Sequence, residues 1–475
     1  MQHKSMYVWG FVARFTPAGI QLVTNMILTR LLTPQDFGTI GVLAIIYTIA
    51  NTLIDSGLGG SLVKEKDLKK IDCSTILTFN IAVSSLLYFV LFLLSGKLEV
   101  FFQVAGLSTI VKVLSLTLII SSFGVVPNAV LLKNLKFRAT FIISTISVTL
   151  ASIVAIILAF LKFGIFSLVI YQILFTLTQV ILSYILSHYK LSLAFSYASF
   201  KKIIPFGIYT SIITIIDSIY ENILTTLTGK YLNVKQAGYV SQSKRINDGL
   251  SYSIAMTIGT VTFPVLTKLK DNLVAFKEET DSIYKTITLI LFPFLMLTAA
   301  YSTEIITLLF GNQWTESGKY LTGFMFAGIF LVLEALLYGF IKALCLVDRL
   351  ALVTIYKRII GIGIIIATMI LFPRFVIEGY VLSSLIGFMA NSLLFCKISN
   401  TKLTTFLQET VIYIIPSGII FALLYTAKVL LSIDLVWSLV LSLGLIVIYY
   451  FMFLRFFGIK ILDSIKKLIG NFIGR

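Results

Sequence analysis

Apolar runs long enough to cross a bilayer recur from one end of this chain to the other. They fall near residues 7–31, 38–63, 74–95, 107–132, 140–161, 163–187, 203–228, 249–267, 282–309, 321–347, 353–372, 376–397, 409–428 and 433–456. A run of about 20 apolar residues spans the hydrocarbon core as one helix, because a helix satisfies every backbone polar group internally. The pattern predicts an all-α polytopic membrane protein of about 14 transmembrane helices. Composition agrees: 58% of the 475 residues are hydrophobic and 12% charged, where a soluble domain carries about 25% charged residues.

The charge excess, 38 Lys+Arg against 21 Asp+Glu, sits in short loops between runs. There it sets topology and meets anionic lipids rather than nucleic acid. With the N-terminus in the cytoplasm, alternate loops carry "KEKDLKK" (64–70), "KNLKFR" (133–138), "KLKDNLVAFK" (268–277) and "KISNTK" (397–402). That bias predicts cytoplasmic termini. The N-terminal run lacks a small-residue cleavage site and reads as a retained first span. The tail "IKILDSIKKLIGNFI" (459–473) sets Ile461, Leu462, Ile465, Leu468, Ile469 and Phe472 at helical spacing, which predicts an interfacial amphipathic helix.

Several chemistries are disfavoured. Cys73, Cys345 and Cys396 lack metal-ligand spacing, and only two histidines occur, so no metal or other cofactor is expected. No span interior holds a histidine, which excludes a His-based proton relay. No G-x-x-x-x-G-K-[ST] phosphate loop appears, which argues against a primary pump. No loop is long enough to hold a soluble catalytic domain, so the chain is not expected to be an enzyme.

The stretch "ILTRLLTPQDFG" (27–38) is a polar break between the first two runs. Thr33 suits an N-cap, Pro34 the first helical position, and Asp36 can reach back to the cap backbone. "ILTTLTGKYLNVKQAG" (223–238) echoes it, a weak internal repeat. The repeat predicts two six-helix lobes related by a pseudo-two-fold: 1–190, then an inter-lobe loop at 191–202, then 203–400. Two further helices (401–458) and the tail (459–475) complete the chain.

The wording of several segments resembles bacterial polysaccharide exporters of the Wzx type, in the superfamily of multidrug and toxin extrusion (MATE) proteins and lipid II flippases. It rests on "ILTRLLTPQDFGTIGVLAII" (27–46), "DSGLGGSLVKEKD" (55–67), "STILTFNIAVS" (74–84), "LSLTLIISSFGVVPNAVLLKNLKFR" (114–138), "DSIYENILTTLTGKY" (217–231), "TFPVLTKLKD" (262–271) and "LLFGNQW" (308–314). The resemblance implies a MATE-like fold in a bacterial cytoplasmic membrane. It also implies a flippase that carries undecaprenyl-pyrophosphate-linked oligosaccharide from the cytoplasmic to the outer leaflet, for a polymerase or ligase beyond. The competing readings are a cation-coupled MATE-like exporter and a membrane polysaccharide polymerase.

A pyrophosphate headgroup needs Arg or Lys inside a polar cavity, and an intramembrane charge is a functional hypothesis by default. Arg14 lies midway along the first span, Arg30 at its outer end, Lys342 within the tenth, and Lys244 and Arg245 just before the eighth. The bland alternatives are snorkelling for Arg30, an ion pair with Glu334 for Lys342, and a solvated loop for Lys244 and Arg245. Asp217 and Glu221, four residues apart, share a helix face. They suit proton or sodium coupling, or else neutralise a cation, and Glu334 is a third coupling candidate. Asp55 with its glycines reads as a helix end or close packing. Pro17, Pro127, Pro205, Pro264, Pro293 and Pro416 predict kinks.

Overall fold

The computed structural model describes residues 2–55, 58–65, 69–344, 347–430 and 435–457. Side chains are described from Thr16 onward, apart from short stretches around 206–210 and 252–261, the borders of the gaps, and positions 439 and 454. The tail expected over 459–473, Cys345 and the Arg14 side chain lie outside the described residues. Every regular element among the described residues is helical.

The chain packs as two compact units, and the first is Met1–Ser241 with Leu309–Gln313. It holds α1 (Gln2–Leu31), α2 (Pro34–Asp55), α3 (Leu58–Lys64), α4 (Lys70–Phe102), α5 (Leu107–Leu114), α6 (Leu116–Lys133), α7 (Phe137–Phe160), α8 (Phe166–Ser187), α9 (Tyr197–Tyr231) and the first half of α10 (Val234–Asn247). α9 therefore packs in the first unit, against α2, although the sequence repeat begins a new lobe there.

The second unit, Gln242–Leu308 and Trp314–Arg475, holds the rest of α10, α11 (Ser253–Leu269), α12 (Leu273–Ala300), α13 (Ser302–Phe310), α14 (Ser317–Ala343), α15 (Val347–Leu371), α16 (Val376–Ser399), α17 (Leu403–Leu430) and α18 (Leu435–Phe457). Segment 309–313 of α13 and its following turn is the exception, packing with the first unit. α12 and α14 are the most enclosed spans, flanked by α16 and α17.

Ten stretches among the described residues are long and apolar enough to cross a membrane. This is a polytopic all-α membrane protein. Three of the ten join neighbouring elements: Pro34–Lys64, Leu107–Lys133, and Pro373–Ser399, which adds the 3-10 turn Pro373–Phe375 to α16. α1, α9, the α10–α11 path and α18 are not among the ten. All six prolines expected to kink helices lie inside them.

Two expectations about element ends are corrected. The stretch 229–248 was expected to connect two spans, but only Leu232 and Asn233 lie between α9 and α10. The helical path then runs through a π-helical turn, Asp248–Tyr252, into α11. Its sequence, VKQAGYVSQSKRIN, is polar enough to hide a helix from any hydropathy criterion. The run at 282–309 is two helices, because α12 begins earlier, at Leu273, where Asn272 accepts from Ala275 N at 3.1 Å, and ends at Ala300.

The turn between α1 and α2 forms as its residues dictate. Asp36 Oδ2 accepts from Thr33 N at 2.9 Å and from Thr33 Oγ1 at 2.7 Å, and Asp36 N donates to Thr33 Oγ1 at 3.3 Å. Its echo repeats the device, since Asn233 Oδ1 accepts from Gln236 N at 2.8 Å. The two hairpins cross at equivalent glycines. A Cβ on Gly38 would lie 1.8 Å from Val234 O, and one on Gly238 would lie 1.9 Å from Pro34 O. Only hydrogen fits at either position.

The carbonyls at the end of α1 are satisfied from far along the chain. Gln313 Nε2 donates to Thr29 O at 2.8 Å and to Leu32 O at 3.1 Å, while Tyr239 Oη donates to Gln313 O at 3.3 Å. At the other end of the unit Glu65 gathers two lysines: Lys202 pairs with its carboxylate at 2.9 Å, and Lys133 Nζ donates to its carbonyl at 2.6 Å.

Candidate functional site

The apolar spans of the first unit are interrupted by polar residues at helical spacing. α2 carries Asn51 and Asp55, α6 carries Ser121 and Asn128 with Gly124 between them, and α8 carries Thr176, Gln179 and Ser183. Positions three, four or seven apart share a helix face. α6 packs against α8, α3 and, more lightly, α2, and the four helices line a half-open cavity of about 310 Å³. Asp55, Ser121, Asn128, Thr176 and Gln179 supply its polar lining, beside Gly59, Gly60 and Gly124. Val63, Val125, Ala129, Leu132 and Val180 supply an apolar wall.

Hydrogen bonds fix much of this lining. Ser183 Oγ lies 2.7 Å from the Asn128 side-chain amide and donates to Gln179 O at 2.7 Å, which holds one end of that amide from behind. Ser121 Oγ donates to Asn51 Oδ1 at 3.1 Å, tying α6 to α2. Asp55 Oδ1 accepts from Gly59 N at 3.3 Å, the helix-end role expected of it. The cavity adds a second role that sequence reading did not assign. The missed signal was the recurrence of amides and hydroxyls along one face each of α2, α6 and α8.

The second unit holds a different polar feature, a buried charge cluster. Glu334 on α14 pairs with Lys357 at 2.8 Å and Arg358 at 3.1 Å, both on α15. Glu334 and Lys357 keep only 6% and 2% of their side chains exposed. Lys357 Nζ also donates to Asn391 Oδ1 at 3.1 Å, and Asn391 Nδ2 donates to Glu334 O at 3.0 Å. The ion pair foreseen for Glu334 is thus made with α15 in place of Lys342, which is exposed with its ammonium 5.9 Å from the Phe263 ring centre. Lys357 and Arg358 fall near the start of the apolar run at 353–372 and lie well inside α15.

The remaining sequence candidates are dispersed. Arg30 is exposed, with Nε 3.4 Å from Leu309 O. Lys244 and Arg245 stand in the last turn of α10, not in a loop, and Lys244 pairs with Asp248 at 2.7 Å. Asp217 is half-buried and Glu221 exposed, one turn apart on α9. None of these lines the cavity. Among the described residues, no group of three or more metal-ligating side chains comes together.

With this geometry in place, the relatives of the chain are informative. The family model described as "Polysaccharide biosynthesis protein" matches residues 27–319. The chain is 23% identical over 310 residues to the lipopolysaccharide biosynthesis protein WzxC of Escherichia coli (strain K12), a match covering 65% of this chain and 63% of that protein. It is 22% identical over 306 residues to the succinoglycan biosynthesis transport protein ExoT of Rhizobium meliloti (strain 1021), covering 64% and 62%. The chain thus spans somewhat under two thirds of these relatives' length. Among solved structures it is similar to the lipid II flippase MurJ in an inward closed conformation, with TM-score 0.75, 14% identity, and 94% and 99% of the two chains covered. An inward-facing multidrug resistance MATE transporter follows at TM-score 0.61 and 15% identity, with 83% and 98% covered. The fold is MATE-like, as the sequence led one to expect.

Proposed function

Because the chain belongs to the polysaccharide biosynthesis protein family, with residues 27–319 matched, we propose that it is a flippase for lipid-linked oligosaccharide. In this reading it moves an undecaprenyl-pyrophosphate-linked repeat unit from the cytoplasmic to the outer leaflet of a bacterial cytoplasmic membrane. A polymerase or ligase then receives the unit.

The observation that carries the proposal is a cavity in otherwise apolar spans where five polar side chains, Asp55, Ser121, Asn128, Thr176 and Gln179, converge beside an apolar lining. A cargo with a hydrophilic head and a prenyl tail needs polar groups at membrane depth for the head while the tail stays in lipid. Polar side chains inside spans are costly in hydrocarbon, and these five gather on one cavity instead of scattering over the helix faces. The lining offers hydroxyls, amides and one carboxylate. No Cys, His or Ser–His arrangement for covalent chemistry lines it, which favours binding and transport over polymerisation.

Arg14, Arg30, Lys342, Lys244 and Arg245 remain the proposed contacts for the pyrophosphate, and Asp217 and Glu221 the proposed carriers of a coupling proton or sodium ion. Glu334 is a further proposed carrier, with Lys357 and Arg358 paired to it inside the second unit. The amphipathic tail would rest on anionic lipids, and both termini would face the cytoplasm. The 1–190 and 203–400 lobes are the proposed halves of the alternating-access cycle.

Conditional depletion followed by mass spectrometry of membrane lipids tests the proposal. A complete undecaprenyl-pyrophosphate oligosaccharide is expected to accumulate while the exported polymer is lost. Unchanged lipid-linked sugars beside raised drug sensitivity would overturn it in favour of a MATE-like exporter.

A further inference from the structure

The cavity of the first unit has a size and a chemistry that select among parts of a cargo. Ligand cavities run from about 300 to 1,000 Å³, and this one, at about 310 Å³, lies at the lower limit. It holds one ring, not a whole repeat unit. It is also far too large for a lone cation, since a water occupies about 30 Å³. A bound metal ion needs several oxygens converging on one point.

The polar groups suit vicinal hydroxyls. Asn128 presents one end of its amide, since Ser183 holds the other. Gln179 adds a planar amide with both donor and acceptor, and Asp55 adds an acceptor. Beside these, Val63, Val125 and Val180 provide an apolar surface for the C–H face of a ring. The lining contains one carboxylate and no cation. A uronic acid would bring a second negative charge beside Asp55 with nothing to offset it.

Resting on the flippase reading, the geometry points to a monosaccharide subsite in the first unit, lined by Asp55, Ser121, Asn128, Thr176 and Gln179. It takes one neutral pyranose of the cargo and rejects uronic acids. Discrimination of this kind is strong, because a site built to hydrogen-bond hydroxyls leaves its own groups unpaired when the wrong ring enters.

The test uses the full chain in lipid nanodiscs, with methyl glycosides of glucose, galactose, mannose and N-acetylglucosamine as neutral probes. Glucuronic and galacturonic acids are the charged probes, and binding is read by saturation-transfer NMR. At least one neutral glycoside is expected to bind at least tenfold more tightly than either uronic acid. Gln179→Leu and Asn128→Leu are each expected to weaken that binding at least tenfold. Gln179→Lys is expected to reverse the preference toward uronic acid, a gain that misfolding cannot mimic.

Absence of glycoside binding, or equal binding by all variants, overturns the subsite. So does sodium binding that Asp55→Asn abolishes while glycosides bind nowhere. A parallel flipping assay with lipid-linked oligosaccharide separates the two readings. Transport by the unmodified chain that Gln179→Leu and Asn128→Leu leave unchanged sinks the subsite and spares the flippase. Glycoside binding lost in both variants, in a chain that moves no lipid-linked sugar, spares the subsite and sinks the flippase.

Discussion

Glu334 shows how far a single carboxylate can organise its surroundings when water is excluded. It faces two cations from α15, and Asn391 links Lys357 to the Glu334 backbone. Removing one member of a buried pair leaves an uncompensated charge, which costs about 3–5 kcal/mol. Glu334→Gln strands two cations at once and is expected to destabilise the chain by at least about 3 kcal/mol. Lys357→Met leaves Arg358 on the carboxylate and is expected to cost clearly less. Denaturant titration of the purified protein in mixed micelles measures both. Equal losses would mean that Arg358 contributes little. The same residues mark the limit of sequence reading. Glu334 was legible as an intramembrane charge, but its partners were not, because Lys357 and Arg358 sit near a basic loop and look like topology signals.

Among elements, the crossing of α2 and α10 at Gly38 and Gly238 is the tightest backbone approach in the first unit. A Cβ at Gly38 would overlap a carbonyl oxygen, so Gly38→Ala has to push two helices apart. Overpacking of well-packed sites costs about 1–3 kcal/mol and sometimes more, and a rigid backbone neighbour places this substitution at or above that upper end. Gly339→Ala meets nothing within 4 Å and is expected to be neutral or slightly stabilising, given the helix preference of alanine. Thermal unfolding of the two variants side by side checks this. A harmless Gly38→Ala would show that the crossing is looser than described. The crossing was half-legible. The repeat aligned "TPQDFG" with "NVKQAG", and Thr33 capped as its type and spacing required. α10 itself stayed hidden, because VKQAGYVSQSKRIN has the composition of a loop, and its helix is supported by packing against α2. The cavity was hidden for the opposite reason. Asn128 and Gln179 are single polar letters in long apolar runs, and only the packing of α6 on α8 brings them together.

At the scale of the whole chain, the contacts sort the connections into two groups without reference to charge. Residues 32–33, 232–233 and 309–313 meet at one end of the first unit. Glu65, Lys133 and Lys202 meet at the other, where Ser196 N also donates to Thr75 Oγ1 at 3.0 Å. The basic loops belong to the second group, and positive loops stay in the cytoplasm. Reporter fusions after residues 65 and 190 are therefore expected to be active only as cytoplasmic reporters, and fusions after 233 and 313 only as external ones. The reverse pattern would invert the whole topology and with it the proposed direction of transport.

The pairing of Gln313 with the end of α1 also bears on how the protein is made. Thr29 and Leu32 emerge early from the ribosome, and the amide that satisfies their carbonyls comes only after the stretch 242–308 has been synthesised. Until then the first hairpin is inserted but unfinished, its carbonyls left to water or headgroups. The first unit therefore completes only once residues 309–313 have been made, after 242–308 and before the rest of the second unit. A chain interrupted before residue 313 carries an open seam that quality-control proteases can find.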